Sequence, residues 1–595
     1  MIKKEKILIY APFQGVAEYS FPFVKLSNTL RELNYEVDLL TCRGLQIDSC
    51  ILQISAHKEL NSIKGKKTIC NWCREYTSAK EIYFDELLDL DSFSLNIEDQ
   101  NEINNIVKKF QFKDIESFEI DKIPIARIAS YNFLLRFQII DLNEISEYQF
   151  EQFRSFYLKA VLKTFFSYKC FLKQKFYKMV FVGDPHYSQN QIILRLNDLY
   201  NVKSIAMFPT HHHKYYFDHY LLCHGSNYEF TQKILSAFTP KEFIYDKKSC
   251  DLALAYVESL WNSKQKSIFS TPKNNNLSEI LRCCKIKKQQ KKIVLLVMSS
   301  LDESFATDFS VYNSELWSQY SLLFENQILW IEECIKYFKN RTDTKLIIRC
   351  HPREYNEGKT ATILEVEKLA NKYKHENIYF NFPSDKISVY DLLNISDLCL
   401  MRRSSIGIQA GLIGIPAISY VNGNELYPVF FSPTSIEEYF LDISNVLNSE
   451  NSRKYEYVEI QFKWLIHYYG KSSFKLNSND YWDLHPKNDD EKEIRKKKNL
   501  PVHQIDIYNQ LTKVLDLDKK LLENYIKGGG ELWDNFDSFN QSSLIEISSF
   551  NLVQMLLQAI FYKTINSKKQ QSINEQRNLN KSINFYLQII ESKTV

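Results

Sequence analysis

The stretch Lys345-Leu-Ile-Ile-Arg-Cys-His-Pro-Arg-Glu354 decides the fold of the second half of the chain. It begins as an apolar run and ends in polar residues at a proline, which is typical of a buried strand that stops at the edge of a sheet. Pro352 cannot continue a strand ladder, so His351 is expected at the carboxyl end of the strand. Arg349 and Arg353 flank it. This group suits an anion; a solvated strand end without a ligand is the alternative.

A second strand, Asp397–Met401, is followed by Arg402-Arg403-Ser404-Ser405-Ile-Gly-Ile-Gln409. The two serines stand where a helix is expected to begin, and the free N–H groups and dipole of a helix start favour phosphate. The two arginines add positive charge beside them. We therefore expect residues 349–353 and 402–405 to form one phosphate-binding site.

Strands and helices alternate around these two segments. The apolar runs predict strands and the longer periodic runs predict helices. The predicted strands are Ile293–Met298, Lys345–Cys350, Ile378–Phe382, Leu398–Met401 and Ala417–Val421, and the predicted helices include Trp317–Phe338 and Ala361–Tyr373. Such alternation is typical of a doubly wound α/β domain with a parallel sheet, and we assign it to residues 291–435.

The first half of the chain has the same pattern. Strands are predicted at Lys6–Ala11, Glu36–Thr41, Met179–Gly183 and Lys203–Phe208. The intervening segments are long enough for the helical crossovers that parallel strands need. We expect a Rossmann-like domain over residues 1–245, with a helical insertion at about residues 96–176.

The remaining segments complete the predicted organisation. Residues 246–290 are more polar and are predicted to be a linker. Residues 436–595 are predicted to be a helical C-terminal extension, with helices at Val502–Tyr525, Leu544–Tyr562 and Ser572–Ser592. The predicted fold class is therefore α/β, with two doubly wound Rossmann-like domains and a helical appendage.

Composition excludes several functions. The 75 Lys and Arg residues nearly balance the 72 Asp and Glu residues, for a net charge of +3, so binding of nucleic acid through bulk charge is not expected. The longest apolar runs are far too short to span a membrane, and the N-terminus does not have a complete signal-peptide core. We expect a cytoplasmic protein whose 12 cysteines are reduced thiols or metal ligands.

These motifs resemble a known group of enzymes. The strand-His-Pro element followed by strand-Ser-Ser-x-Gly-x-(acid or amide)-Ala-x-x-x-Gly-x-Pro is similar to the second domain of GT-B fold glycosyltransferases, apart from the spacing of the last glycines. It looks most like bacterial capsule and surface-polysaccharide enzymes, including Kdo transferases and sialyltransferases. The resemblance implies that His351, Ser404 and Ser405 bind the nucleotide and phosphate of a sugar donor, and it favours a CMP-sugar.

One position departs from this pattern. Many GT-B enzymes have Glu where this chain has Gln409, and that residue often holds a donor hydroxyl. An amide can still donate and accept hydrogen bonds but brings no charge. The identity of the donor sugar therefore stays open.

Glycosyl transfer needs a base to take the proton of the acceptor hydroxyl, and a carboxylate or His is the usual group. Glu18 follows the first strand, and Asp302 and Glu303 follow the first strand of the second domain. Asp184 and His186 follow a third strand. Each of these residues is a candidate base, and a loop residue without a catalytic task is the alternative for each.

Four cysteines are candidate metal ligands. Cys70 and Cys73 have the Cys-x-x-Cys spacing that lets two thiolates share a metal, and Cys42 and Cys50 precede them. Together they would complete the four-sulfur tetrahedron of a structural zinc. Buried thiols without a metal are the alternative.

The sequence thus favours a GT-B-type glycosyltransferase that moves a sugar from a nucleotide-activated donor to a bacterial surface glycan. Its expected partners are the donor and a glycan or lipid-linked acceptor, with peripheral association at the inner face of the membrane. The donor is a co-substrate, and no metal cofactor is expected for the transfer. A non-catalytic polysaccharide assembly or export protein and another nucleotide-sugar enzyme, such as an epimerase, are the alternatives.

Overall fold

A computed structural model gives the fold of the chain. It describes residues 4–15, 17–47, 49–51, 63–78, 81–93, 95–210, 218–226, 230–261, 277–287, 290–310, 322–355, 360–402, 404–421, 428, 430–476, 513–539, 544–545, 548–565 and 581–591. The chain divides into two units. Unit 1 comprises Met1–Phe230, Phe305–Asn313 and Ser472–Asn540, and unit 2 comprises Thr231–Ser304, Ser314–Lys471 and Gln541–Val595.

Unit 1 is built on a seven-stranded sheet. Its strands are β1 (Lys6–Tyr10), β2 (Glu36–Thr41), β3 (Glu86–Asp89), β4 (Met179–Gly183), β5 (Ser204–Pro209), β6 (His219–His224) and β13 (Phe474–Lys475). They lie in the order β13-β6-β5-β4-β1-β2-β3. The first five strands pair in parallel, whereas β6 and β13 are antiparallel at one edge. This is the doubly wound arrangement predicted from the sequence.

Helices connect and flank these strands. In unit 1 they are α1 (Ala17–Glu32), α2 (Ile63–Ser78), α3 (Ile97–Lys109), α4 (Ile125–Phe137), α5 (Glu147–Gln152), α6 (Lys159–Gln174), α7 (Ser188–Leu199) and, after the second unit, α18 (Asp516–Lys527) and α19 (Leu532–Phe539). A π-helical stretch, Phe153–Leu158, joins α5 to α6. Helices α3–α6 lie within the segment of about residues 96–176, for which the sequence predicted helices.

Unit 2 has a five-stranded sheet in which every pair is parallel. Its strands are β8 (Lys292–Val297), β9 (Thr344–Arg349), β10 (Ile378–Asn381), β11 (Leu398–Met401) and β12 (Ala417–Ser419). Their order is β10-β9-β8-β11-β12, so the chain winds outward from β8 in both directions. All six residues of β9 are buried, because helices cover both faces of a parallel sheet. This second doubly wound sheet was also predicted.

Some helices of unit 2 lie in segments where the sequence did not predict a helix. The helices of unit 2 are α8 (Phe230–Ser236), α9 (Lys247–Trp261), α10 (Leu277–Cys283), α11 (Leu301–Ser310), α12 (Gln327–Phe338), α13 (Ala361–Lys372), α14 (Val389–Ile395), α15 (Ile406–Gly411), α16 (Ile436–Asn448), α17 (Tyr455–Leu465), α20 (Ser549–Ile565) and α21 (Lys581–Glu591). The first residue of α8 belongs to unit 1, and α11 carries residues of both units. Helices α9 and α10 replace much of the predicted 246–290 linker. Trp261 is 2% exposed, because the apolar face of α9 belongs to the core.

Helix α12 is shorter than the predicted helix Trp317–Phe338. Asn326 ends the preceding segment, and its side chain accepts a hydrogen bond from the N–H group of Leu329, which caps the helix. Leu322 forms a bridge with Val421 and is therefore not helical. Residues 311–321, which include the predicted start, lie outside the described residues.

The C-terminal region is not a separate appendage. Strand β13 pairs with β6, and α18 contributes Leu521, Leu522 and Tyr525 to the core of unit 1. Leu544–Ile545, predicted to be helical, form strand β14, which pairs with β7 (Tyr245–Asp246) in unit 2. The sequence did not predict these two strand pairings, because the paired strands are far apart along the chain and polar residues surround them.

No helix among the described residues is long and apolar enough to cross a membrane. All twelve cysteines are thiols in the structure.

Candidate functional site

The sheet of unit 2 brings the two predicted phosphate-binding segments to one edge. His351 follows β9 and Ser404 follows β11, and these two strands flank β8. Adjacent strands lie about 4.8 Å apart, so the ends of β9 and β11 are separated by about 10 Å. The loop after β8, which carries Ser299 and Ser300 and leads into Asp302 in the first turn of α11, begins between them. Residues far apart in sequence therefore share one sheet edge, as expected.

Arg349 does not present its charge at that edge. Its side chain is 3% exposed, and its Nη1 donates a hydrogen bond to Asn381 Oδ1 of β10 at 2.6 Å. Burial lowers the pKa of this guanidinium group. Arg349 ties β9 to β10, which corrects its predicted role as an open source of positive potential.

Arg353 is also paired within the protein. Its guanidinium group forms ion pairs with Asp302, at 3.0 Å, and with Glu303. Ser300 Oγ donates a further hydrogen bond to Asp302 Oδ1 at 2.6 Å. These contacts attach the start of α11 to the turn that follows His351. Asp302 and Glu303 thus neutralise Arg353, which disfavours either as the acceptor base.

His351 lies in a setting that keeps it neutral. Burial lowers the pKa of its imidazole to about 4, and repulsion from Arg353 and Arg349 acts in the same direction. Its Nδ1 accepts a hydrogen bond from the backbone N–H group of Arg353 at 3.4 Å. The ring proton is then on Nε2, because a neutral imidazole has one donor and one acceptor nitrogen. His351 can therefore donate a hydrogen bond to an anion without carrying charge itself.

Glu354 is a buried carboxyl group that the sequence analysis missed. It is 2% exposed, and burial raises its pKa to about 7. Thr360 Oγ1 donates a hydrogen bond to Glu354 Oε2, while Oε1 has no hydrogen-bond partner among the described residues. Its place in the turn after His-Pro is visible in the sequence, but its burial depends on the packing of the Thr360 segment.

The paired serines occupy different settings. Ser404 Oγ accepts a hydrogen bond from the N–H group of Ile406 at 3.3 Å, whereas Ser405 is exposed and its side chain caps nothing. Helix α15 has only six residues, so its dipole is a weaker source of anion affinity than the sequence suggested. Ser405 is therefore the serine whose hydroxyl the fold does not require. Arg402 is mostly buried, and Arg403 lies outside the described residues.

Gln409 points into the interior of unit 2. It is 2% exposed, and it forms hydrogen bonds with the hydroxyl groups of Tyr256 and Tyr390. Such a buried amide connects α15 to α9 and α14. Its predicted contact with a donor hydroxyl is not supported by this position.

Three of the candidate bases lie in unit 1. Glu18 belongs to the first turn of α1, and its side chain lies outside the described residues. Asp184 and His186 follow β4, and His186 Nδ1 lies 3.2 Å from Asp184 Oδ1. The structure therefore brings the carboxylate of Asp184 and the imidazole of His186 together.

The four N-terminal cysteines line one cavity of about 110 Å³, together with Arg43, Arg74 and Asp89. Burial raises the pKa of the Cys42 thiol to about 12, and the nearby Cys73 and Cys70 act in the same direction. No group of three or more His, Cys, Asp or Glu in the described part of the chain is arranged to hold a metal. The predicted Cys42, Cys50, Cys70 and Cys73 zinc site is therefore not supported.

Fold and site define an α/β protein with two doubly wound units, the second of which has polar loops at the carboxyl edge of its sheet. No family model matches the chain, and no curated protein matches it significantly.

Solved structures give weak similarities. The chain is similar to UDP-GlcNAc 2-epimerase from Neisseria meningitidis bound to UDP-GlcNAc, at 11% identity and a TM-score of 0.28, over 78% of this chain and 96% of that one. It is similar to the S. aureus MnaA–UDP complex at 12% identity and a TM-score of 0.26, over 80% and 95%. It is similar to the Streptomyces sp. SF2575 glycosyltransferase SsfS6 at 9% identity and a TM-score of 0.19, over 78% of this chain and 95% of that one. Similarities this weak assign neither a family nor an activity to the chain.

Proposed function

We propose that this protein is a glycosyltransferase that uses a nucleotide-activated sugar, with the donor phosphate bound at the carboxyl edge of the unit 2 sheet. The observation that carries the proposal is the placement of His351 and of Ser404 and Ser405 at the ends of two strands that flank β8. Ligands of open α/β sheets bind at such strand ends, where the strand order reverses. In unit 2 that reversal lies between β8 and β11.

The residues fit a phosphate ester. The Nε2–H group of neutral His351 and the hydroxyl of Ser405 are hydrogen-bond donors, and Arg402 brings positive charge to the same strand end. Because Arg349 and Arg353 have internal partners, the site depends more on neutral donors than the sequence indicated. A nucleoside monophosphate leaving group, with its smaller charge, suits such a site better than a diphosphate. This supports a CMP-sugar as donor.

The proposed acceptor is a glycan or lipid-linked glycan of a bacterial surface polysaccharide, reached from the cytoplasmic face of the membrane. Its support is the sequence resemblance of the His-Pro and Ser-Ser elements. Metal-independent transfer is part of the proposal, since the carboxylates Asp302 and Glu303 pair with Arg353.

A nucleotide-binding and product assay tests the proposal. Melting temperatures are measured with CMP, UDP and GDP, because a ligand that binds only the native state stabilises it. Labelled CMP-, UDP- and GDP-sugars are then incubated with the protein and with a panel of methyl glycosides. We expect stabilisation by one nucleotide and a labelled glycoside product. Recovery of an isomerised sugar nucleotide would indicate an epimerase, and binding without turnover would indicate an assembly protein; either would contradict the proposal.

The variant His351→Ala tests the site itself. We expect about 10- to 100-fold weaker nucleotide binding, from the loss of one hydrogen bond to a charged group. His375→Ala is the matched control, since His375 is an exposed histidine on the loop before β10. Equal binding by both variants would contradict the assignment of His351.

A further inference from the structure

Four cysteines of unit 1 line one small cavity at the carboxyl ends of β2 and β3. Cys42 and Cys50 come from the segment after β2, whereas Cys70 and Cys73 come from α2. The cavity has a volume of about 110 Å³. A sphere of this volume is roughly 6 Å across, which is similar to the separation of the two Cα atoms in a disulfide. Thiols from two separate elements therefore share a space that a disulfide could bridge.

Helix α2 presents one face to this cavity. The residues of that face recur at helical spacing and are Ile69, Cys70, Cys73, Arg74, Thr77 and Ser78. Cys73 packs against the apolar cluster formed by Phe13 and Cys50, and it is only partly buried. The Cys73 thiol thus reaches the interior of the cavity from an element that solvent can approach.

Cys42 is held firmly on the opposite wall. It is 7% exposed, and its sulfur accepts hydrogen bonds from the backbone N–H groups of Gly44 and Gln46. The side chain of Gln46 donates in turn to the hydroxyl of Tyr10 at 2.9 Å and to Thr164 Oγ1 at 3.1 Å. The loop after β2 therefore keeps this sulfur in a fixed place beside α2.

The electrostatic effects on Cys42 indicate which thiol of α2 is its neighbour. Burial raises the pKa of the Cys42 thiol to about 12, and Cys73 raises it further, with a smaller effect from Cys70. Because repulsion between charges weakens with distance, Cys73 is the nearer of the two. Cys42 is buried and protonated at neutral pH, whereas Cys73 is partly exposed. A reagent from solvent therefore meets Cys73 first.

The charged residues of the cavity lining favour an anionic reagent. They are Arg43, Arg74 and Asp89. Arg43 forms an ion pair with Asp89, and Arg74 Nη2 donates to the carbonyl oxygen of Arg43 at 3.0 Å. Within the described part of the chain, Arg74 has no carboxylate partner. The positive charge that remains attracts anions such as glutathione disulfide, whose carboxylates outnumber its ammonium groups.

From this arrangement we propose that Cys73 and Cys42 are a redox-sensitive pair that an anionic disulfide, such as glutathione disulfide, oxidises to a disulfide bond. The Cys73 sulfur loses its proton to solvent and bonds to one glutathione sulfur, while the S–S bond of the reagent breaks and one glutathione leaves with the electron pair. The Cys42 sulfur then loses its proton and bonds to the Cys73 sulfur, and the second glutathione leaves. Two protein thiols are oxidised and one glutathione disulfide is reduced to two thiols.

The bond ties α2 to the loop after β2, and a reducing thiol releases it. Reversible disulfides of this kind are typical of redox sensing in proteins whose thiols are otherwise kept reduced. The site lies wholly within unit 1. The inference does not depend on the proposed transferase function.

Peptide mapping of the full chain tests the proposal. The reduced protein is incubated with glutathione disulfide, the remaining thiols are blocked with N-ethylmaleimide, and the digest is analysed by mass spectrometry without reduction. We expect linked peptides that contain Cys42 and Cys73, preceded by a glutathione adduct on Cys73. Dithiothreitol should remove both. Cys283, an exposed thiol of α10, is the internal control and should take up glutathione without forming a crosslink.

Three variants separate the steps. In Cys42→Ser the glutathione adduct on Cys73 should persist about tenfold longer than in the native protein, because the thiol that displaces it is missing. In Cys73→Ser, Cys42 should stay reduced. Arg74→Gln should slow the reaction with glutathione disulfide by about threefold relative to cystamine, a cationic disulfide.

The native protein alone can overturn the assignment, so it stays testable if a variant does not fold, as judged by its melting curve. Absence of a crosslink when Cys283 is fully modified would contradict the pair. So would a crosslink that joins only other cysteines, such as Cys70 with Cys73 or Cys50 with Cys73. An unchanged preference between the two reagents in a folded Arg74→Gln variant would contradict the selection for an anionic disulfide.

Discussion

Glu354 makes the stability of unit 2 depend on pH. In the unfolded chain this carboxyl has an ordinary pKa near 4.5, whereas burial raises it to about 7 in the folded protein. The folded state therefore binds more protons between about pH 4.5 and pH 7, and its free energy of unfolding falls as pH rises through that window. The loss is on the order of 3 kcal/mol, at about 1.36 kcal/mol per pKa unit.

We expect Glu354→Gln to remove this loss. Urea denaturation at pH 5.5 and pH 8 should show a smaller decrease in stability for the variant than for the native protein. The pKa values of His351 and His467 are lowered to about 4, so both residues titrate below this window in the folded state. Their contribution to the pH dependence of stability is the same in the native protein and in Glu354→Gln. Glu365→Gln, at a half-buried carboxyl of α13 that pairs with Lys368, is the control and should follow the native protein. An unchanged pH dependence in Glu354→Gln would contradict the burial of this group.

Arg353 is expected to stabilise the site rather than to bind phosphate. Arg353→Met would leave Asp302, which is 5% exposed, as a buried charge without its ionic partner. Breaking a buried pair in this way costs about 3–5 kcal/mol. The double variant Arg353→Met/Asp302→Asn should recover much of that loss in chemical denaturation. A stable single variant with impaired nucleotide binding would instead indicate that Arg353 contacts the donor.

At the scale of elements, α18 is an integral part of unit 1. Leu522 is fully buried in its core, so Leu522→Ala should reduce the free energy of unfolding by about 2–5 kcal/mol. Leu515, immediately before the same helix, is 49% exposed, and Leu515→Ala should cost less than about 0.5 kcal/mol. Urea denaturation measures both. Equal small effects would mean that this C-terminal helix is an appendage, as the sequence suggested.

The sequence predicted most strands of both sheets because buried parallel strands form continuous apolar runs, such as Lys292–Val297. It did not indicate β3, β6 or β13, and the pairing of β6 with β13 joins residues 219–220 to 474–475. A short strand whose partner is far away along the chain shows no local hydrophobic periodicity in the sequence. The roles of the site residues were harder to predict for the same reason. Neither the Arg349–Asn381 contact nor the pairing of Arg353 with Asp302 follows from the spacing of charges along the chain.

At the scale of the whole molecule, each unit has polar groups at the reversal point of its own sheet. Unit 2 has His351 and Ser405 near β8, and unit 1 has Asp184 and His186 beside β1. The carboxylates near the unit 2 site are paired with Arg353. We therefore expect transfer to continue after dialysis against EDTA, measured as labelled product. Activity lost with EDTA and restored by Mg²⁺ or Mn²⁺ would contradict metal-independent transfer.

The decisive measurement is a double-mutant cycle on nucleotide affinity, made by calorimetric titration with whichever of CMP, UDP and GDP binds the native protein. His351→Ala, Ser405→Ala and the double variant are compared. Ser405 is suitable because its side chain caps nothing in the fold. If both groups contact one phosphate, each single variant weakens binding and the effects are coupled by at least about 0.5 kcal/mol. Additive effects, or an affinity that neither substitution changes, would contradict a shared phosphate site.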